Sequence, residues 1–256
     1  MSFRYNDILN IPERNLRFHK LTKVFFTKNY PLIAAEKKLL SGVISKMEIL
    51  AQITPLTSNI VEIVNEVDSY ENVFVIVCTV EDTLLEKVAG KCINLIQKYL
   101  PQQAVVIVED DSGFKVNATL KRINQNDKSK LTIEGSFTTG ILSKLYKNDL
   151  NDAFFKALDF TNLDKTNLEL LYKSYIQAIV QFNAASITGT YQKRSNARTA
   201  QDMEHLAQIE QLERDIISFA SQMKKESQLN NKVQLNIKIQ EKRNQIKDIK
   251  HLLNEY

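Results

Sequence analysis

The 256-residue chain contains no tryptophan, only six glycines, four prolines, three histidines and two cysteines, and each shortage closes off a class of protein. Gly42, Gly90, Gly113, Gly135, Gly140 and Gly189 are too dispersed to form a phosphate-cradling G-x-x-x-x-G-K loop or a G-x-G-x-x-G turn. His19, His205 and His251 stand far apart, without H-x-x-H or H-E-x-x-H spacing, so no histidine-based metal site is expected. There is no G-x-S-x-G nucleophile elbow. Cys78 and Cys92 fit neither a zinc knuckle nor a C-x-x-C redox pair. Their apolar surroundings read as two buried, reduced thiols, which suits a reducing compartment. No metal and no cofactor are expected. The longest apolar runs, Val73–Cys78 and Ala104–Val108, are strand-sized and far below the ~20 residues of a membrane span. The opening Met-Ser-Phe-Arg-Tyr-Asn-Asp lacks the pattern of a secretory signal. A cytoplasmic protein without a membrane contact is expected.

What is present is ordinary in amount and uneven in layout. Hydrophobic residues make up 43% of the chain and charged residues 25%, which is globular usage. A core of that size needs no disulfide or metal to fold. The net charge is only +4. Residues 1–28 carry six basic against two acidic side chains, residues 202–223 one against five, and residues 224–256 eight against four. Such asymmetry constrains partners more than fold.

Hydrophobic periodicity divides the chain into an α+β core, residues 1–184, a linker, 185–201, and a C-terminal helical hairpin, 202–256. Residues 1–28 have no clear period and read as an arm over the core. Leu32, Leu39, Leu40, Val43, Ile44, Met47 and Leu50 recur at helical spacing and predict one helix over 31–52, opened by Pro31 and ended by Pro55. Asn59–Val67 and Val73–Thr79 read as strands, the second covered on both faces. Thr79 with Asp82 forms a capping box for a helix that runs through Leu84, Val88, Cys92 and Leu95 to Pro101. Ala104–Val108, the turn Asp110-Asp111-Ser112-Gly113 and Phe114–Leu120 make a hairpin, followed by a strand at Leu131–Phe137. This order gives a mixed sheet with packed helices. Beyond Gly140 the pattern is helical, with a capping box at Thr166 and Glu169.

In the last quarter, Leu206, Ile209, Leu212, Ile216, Phe219 and Met223 form one stripe, and Leu235, Ile239, Ile246, Ile249 and Leu253 another. The phase breaks near Ser227–Asn231. That predicts a hairpin in which an acidic helix lies beside a basic one, with a stutter in one long helix as the alternative. The same seam could join two chains. Leu206, Ile209, Ile216, Leu235, Ile239 and Ile246 are therefore the expected partner-binding or dimerisation residues.

Candidate chemistry is sparse. Glu62 on one strand, Asp110 or Asp111 at the end of another, and Lys121 on the returning strand supply the ingredients of a Mg²⁺-dependent nuclease, but the acid-x-lysine triplet on one strand is missing. Asp110 and Asp111 before Ser-Gly also read simply as turn formers. Arg14, Arg17, Lys20 and Lys23 alternate with Phe18 and Phe25, and Lys193, Arg194 and Arg198 mark the linker. Basic residues interleaved with aromatics can hold a nucleic-acid backbone; a solvated arm with docked phenylalanines is the alternative reading.

The run Lys225-Glu226-Ser227-Gln228-Leu229-Asn230-Asn231-Lys232-Val233-Gln234-Leu235-Asn236 resembles the K-E-x-Q-x-N-x-K-V-x-L-N stretch of the bacterial domain of unknown function 4391 family. Glu62-Ile63, Leu100-Pro101 and Lys121 match other elements of the family in order, over about residues 15–255. The tryptophan frequent in the family's first helix is absent, and its Ile-Pro-Tyr step reads Leu-Pro-Gln. The resemblance implies a setting of helicases and DNA methyltransferases, as in restriction or anti-phage operons, and supplies no catalytic residues. The resulting expectation is a non-catalytic accessory subunit that binds a helicase or methyltransferase. A nucleic-acid-binding module and a cryptic nuclease are the alternatives.

Overall fold

A computed structural model describes residues 4–81, 85–127, 131–146 and 148–254. Asp82 and Leu84, and with them the expected Thr79–Asp82 capping box, lie outside the described residues. The chain divides into two compact units, Met1–Ile179 and Val180–Tyr256.

The first unit begins with a short helix α1 (Asn6–Leu9), strand β1 (Leu16–Lys20), and helices α2 (Lys23–Asn29) and α3 (Ala34–Gly42). Strand β2 (Ile44–Ile53), the four-residue helix α4 (Pro55–Ser58) and the two-residue strands β3 (Ile63–Val64) and β4 (Ser69–Tyr70) follow. Next come β5 (Val73–Val80), α5 (Leu85–Tyr99), β6 (Gln103–Glu109), β7 (Gly113–Ile123), β8 (Leu131–Thr138) and β9 (Leu142–Ser143). Helix α6 (Asp149–Leu158) leads to α7 (Leu168–Thr188), which crosses the boundary between the units.

Seven strands form one mixed sheet in the order β1-β2-β5-β6-β7-β8, with β9 also paired to β7. Among the described strands of this sheet only β5 and β6 run parallel, because α5 carries the chain back between them. Val73, Val75, Ile76 and Cys78 of β5 are fully buried, as are Ala104, Val105, Val106 and Val108 of β6. This is what strands without a polar face require. One face packs on α2, α3 and α5 through Phe26, Leu40, Ala89, Cys92, Ile93 and Ile96. On the other, Phe155 of α6 stacks on Phe114, Tyr5 meets Phe114 edge-on, and Tyr172 of α7 donates to the carbonyls of Thr119 and Ala104. The two cysteines are free and buried. The α+β class read from the sequence holds.

Three expectations fail in the first unit. The helix expected over 31–52 ends at Gly42, and Ile44–Ile53 is strand. Register shifts between Ile44 and Lys46 and between Ile49 and Ala51 are bulges that interrupt the alternation of faces. Burial therefore falls on Ile44, Met47, Leu50, Ala51 and Ile53, a spacing that imitates a helix. Of Asn59–Val67 only Ile63–Val64 is strand, paired with β4 in a sheet of its own. Val61, Val64 and Val67 are exposed, so their β-branched propensity finds no buried face to serve. The cap of α7 is also displaced: Asn167 Oδ1 accepts from Leu170 N at 2.8 Å, while the Thr166 hydroxyl bonds Asp164.

The second unit contains the end of α7, then α8 (Asn196–Lys225) and α9 (Leu229–Asn254). The segment expected as a linker over 185–201 is helical at both ends, leaving 189–195 outside helices. Helices α8 and α9 pack together as an intrachain hairpin. Its break falls at Glu226–Gln228, slightly ahead of the expected Ser227–Asn231, and Asn230 and Asn231 already belong to α9.

Candidate functional site

The carboxyl ends of parallel strands are where a mixed sheet most readily builds a site, and charged groups do converge there. Thr79 and Glu109 are neighbours across β5 and β6. Glu109 Oε2 accepts from the Tyr5 hydroxyl at 2.6 Å and pairs with Lys144 Nζ at 2.6 Å, while Oε1 accepts from Thr79 Oγ1 at 2.9 Å. Lys144 Nζ also donates to the Asp110 carbonyl at 2.6 Å. Burial and the Glu109 carboxylate push the Tyr5 hydroxyl far above its ordinary value. Each polar group is spent on another, so the cluster reads as a latch that ties α1 and the β9 turn to the sheet end.

The expected nuclease residues do not come together. Asp110 makes the turn: its Oδ1 accepts from Ser112 N, Ser112 Oγ and Gly113 N at 2.8–2.9 Å, and Asp111 is exposed beside it. Lys121 lies eight residues along β7 from Gly113, or roughly 26 Å at strand rise. Glu62 is exposed next to β3. Lys121 is 1% exposed, and its Nζ donates to the carbonyls of Leu100 and Gln102 at 2.8 Å. It closes the C-terminal end of α5, where a helix leaves carbonyls unpaired. Burial pushes its amine down to about 7. Among the described residues, no group of three or more His, Cys, Asp and Glu side chains is placed to hold a metal ion.

The expected nucleic-acid residues divide. Arg194 Nη1 pairs with the fully buried Asp202 at 3.0 Å, and Arg198 Nε lies 3.3 Å from the same oxygen. Arg194 Nη2 donates to the Leu253 carbonyl at 2.8 Å and Arg198 Nη2 to the Leu252 carbonyl at 2.6 Å. Both guanidinium groups thus serve the C-terminus of α9 and the Asp202 carboxylate. Arg14 donates to the Ser58 carbonyl at 3.2 Å and Arg17 to the Arg14 and Leu16 carbonyls. Arg17 and Lys20 are exposed on the edge strand β1, Lys193 is exposed, and Lys23 is half-buried. Phe18, at φ 48° beside a register shift, is 60% exposed.

The expected partner residues turn inward. Ile209 and Ile239 are buried, Leu206 and Ile246 pack with Leu253 and Ala184, and Ile216 and Leu235 are half-buried. They join α8 to α9, with Lys238 over the Phe219 ring, and are not a free docking surface. Outward apolar residues of the two helices include Ile217 on α8, and Leu229, Val233 and Ile237 on α9, between 45% and 74% exposed, with Leu252 near the end of α9 at 41%. Leu229, Val233 and Ile237 recur every four residues, which puts them on one face of α9. The stronger seam period masks them in the sequence. The four-residue recurrence was the available signal.

The tip between the helices is held mainly by the Glu226 side chain, with Gln228 Oε1 also accepting from Asn231 Nδ2 at 3.2 Å. Glu226 Oε1 accepts from Ser227 N at 2.8 Å and Gln228 N at 2.9 Å, and Oε2 from Asn231 Nδ2 at 3.1 Å. Backbone amides, Gln228 N first, and Asn231 hold this carboxyl below its usual range.

Sheet, latch and hairpin define an α+β protein whose buried charged residues are consumed internally. The chain belongs to the family described as Domain of unknown function (DUF4391), whose family model matches residues 9–246. No curated protein and no solved structure matches it. The K-E-x-Q-x-N-x-K-V-x-L-N run spans the end of α8, the Glu226 tip and the first turns of α9, and it includes Val233.

Proposed function

We propose that the chain is an interaction subunit of a bacterial DNA-modification, restriction or anti-phage assembly, and that it docks a helicase or methyltransferase on the outer face of its C-terminal hairpin. The observation that carries this reading is the exposed series Leu229, Val233 and Ile237, together with Ile217. Apolar side chains repeated along one exposed helix face are the kind of surface a partner covers. The setting rests on the family resemblance. Full-length chain purified from its native host tests the reading, as wild type and as the Val233→Asp/Ile237→Asp variant. A helicase or methyltransferase should accompany the wild type and be lost from the variant, while circular dichroism of the two stays alike. Equal recovery from both, or recovery of neither partner, would overturn it.

A second reading, nucleic-acid binding through the arm, is favoured by the exposure of Arg17, Lys20 and Lys193. It requires affinity for duplex DNA that falls steeply with salt and weakens on Arg17→Ala/Lys20→Ala. Salt-independent or absent binding removes it.

A further inference from the structure

The helical layer formed by α2, α3 and α5 carries seven lysines, Lys23 and Lys28, Lys37 and Lys38, then Lys87, Lys91 and Lys98, against two acids, Glu36 and Glu86. Between α3 and α5 this layer opens into a groove of about 600 Å³, within the range of ligand and peptide pockets. Its floor is apolar: Leu39 and Val43 from one side, Val88 and Leu95 from the other. Lys38, Lys91 and Lys98 stand along its rim.

Charge on that rim is unbalanced. Burial alone would raise the Glu36 carboxyl, but hydrogen bonds from Lys98, Tyr99 and the Ile33 amide bring it below its ordinary value. It stays ionised and is spent on Lys98 at 2.8 Å, Tyr99 at 2.8 Å and Ile33 N at 3.0 Å. Glu86 pairs with Lys115, at 3.1 Å. Lys38 and Lys91 have no ion-pair partner among the described residues and are exposed on opposite sides of the floor.

We infer that this groove docks an acidic amphipathic segment of a partner protein, with its apolar side chains on Leu39, Val43, Val88 and Leu95 and its carboxylates on Lys38 and Lys91. An apolar trough between two helices is the form that accepts a helix face, and lysines on both rims select its flanking charge. A nucleic-acid backbone fits less well. The groove lining contains no aromatic ring for a base to stack on and no arginine fork for a phosphate. The inference rests on the reading of the chain as an interaction subunit, but it concerns α3 and α5 rather than the hairpin.

The test is a displayed library of short random peptides panned against the full-length chain, alongside a Lys38→Glu/Lys91→Glu variant. Both lysines are exposed, so the variant should fold. A thiol-reactive fluorophore on Asn94→Cys reports occupancy of the groove, since the native cysteines are buried. The proposal requires enriched peptides that place apolar residues at i, i+3, i+4 and i+7 with Asp or Glu beside them. They should alter the Asn94→Cys fluorescence and lose about tenfold or more in affinity to the charge-reversed variant. It is overturned if nothing is enriched, if enriched peptides bind the variant equally, or if a duplex DNA fragment displaces them and binds the groove more tightly. The Val233→Asp/Ile237→Asp variant should bind the peptides as the wild type does. Failure of the hairpin reading alone therefore leaves this result standing, and the reverse also holds.

Discussion

Lys121 sits where a β-strand meets the end of a helix, neutral-prone and without a carboxylate, satisfied by two carbonyls. Its folded value of about 7 lies below the ~10.4 of a free lysine. Between those values the unfolded chain binds a proton that the folded chain lacks, so stability should rise with pH across that window, by at most about 1.4 kcal/mol per unit. Denaturant titrations from pH 7 to about 10 should show this slope in the wild type and lose it in Lys121→Met. A second residue-scale expectation concerns Asp202, which is buried between Arg194 and Arg198. Asp202→Ala would leave two guanidinium groups without their anion, and loss of one partner of a buried pair costs about 3–5 kcal/mol. Chemical denaturation followed by circular dichroism would read the loss. Neither role was legible in the sequence. Lys121 looked catalytic because it shares a hairpin with Asp111, and only the length of β7 shows that the two lie at opposite ends. Arg194 and Arg198 looked free because the helix end they cap is more than 50 residues away in sequence.

The elements were legible where one period dominates. Val73–Val80, Gln103–Glu109 and Leu85–Tyr99 announce themselves by unbroken apolar runs or a clean helical stripe. Strand β2 does not, because its two bulges convert an alternating pattern into one of threes and fours. Gly113 shows a different limit. A Cβ there would lie 2.7 Å from the Leu142 carbonyl oxygen, so β9 can pair with β7 only over a glycine. Gly113→Ala should cost about 1–3 kcal/mol through overpacking, measured as a shift in unfolding midpoint. The hairpin offers a sharper contrast. Ile239 is buried in the seam and Ile237, two residues away, is 45% exposed. Ile239→Ala should destabilise by about 2–5 kcal/mol, whereas Ile237→Ala should fall within about 0.5 kcal/mol of the wild type. Equal effects would mean that the two helices are not paired as described.

For the whole molecule, the fold class and the break between α8 and α9 followed from pattern, since burial dictates both. The surfaces followed less well. A sequence shows that apolar residues recur but not which recurrence faces a neighbour already present. Here the stronger stripe closes the hairpin, and the weaker one, Leu229, Val233 and Ile237, is left outside. Charge is likewise legible along the chain but not in space: a net of +4 conceals a lysine-rich layer on α2, α3 and α5. No helix among the described residues is long and apolar enough to cross a membrane. The most direct measurement is site-specific photo-crosslinking from position 233 of the full-length chain in its native host, with the adducts identified by mass spectrometry. A helicase or DNA methyltransferase captured at that position, and not from the buried position 239, is the expected result. Adducts to nucleic acid alone, or none beyond the chain itself, would contradict the account.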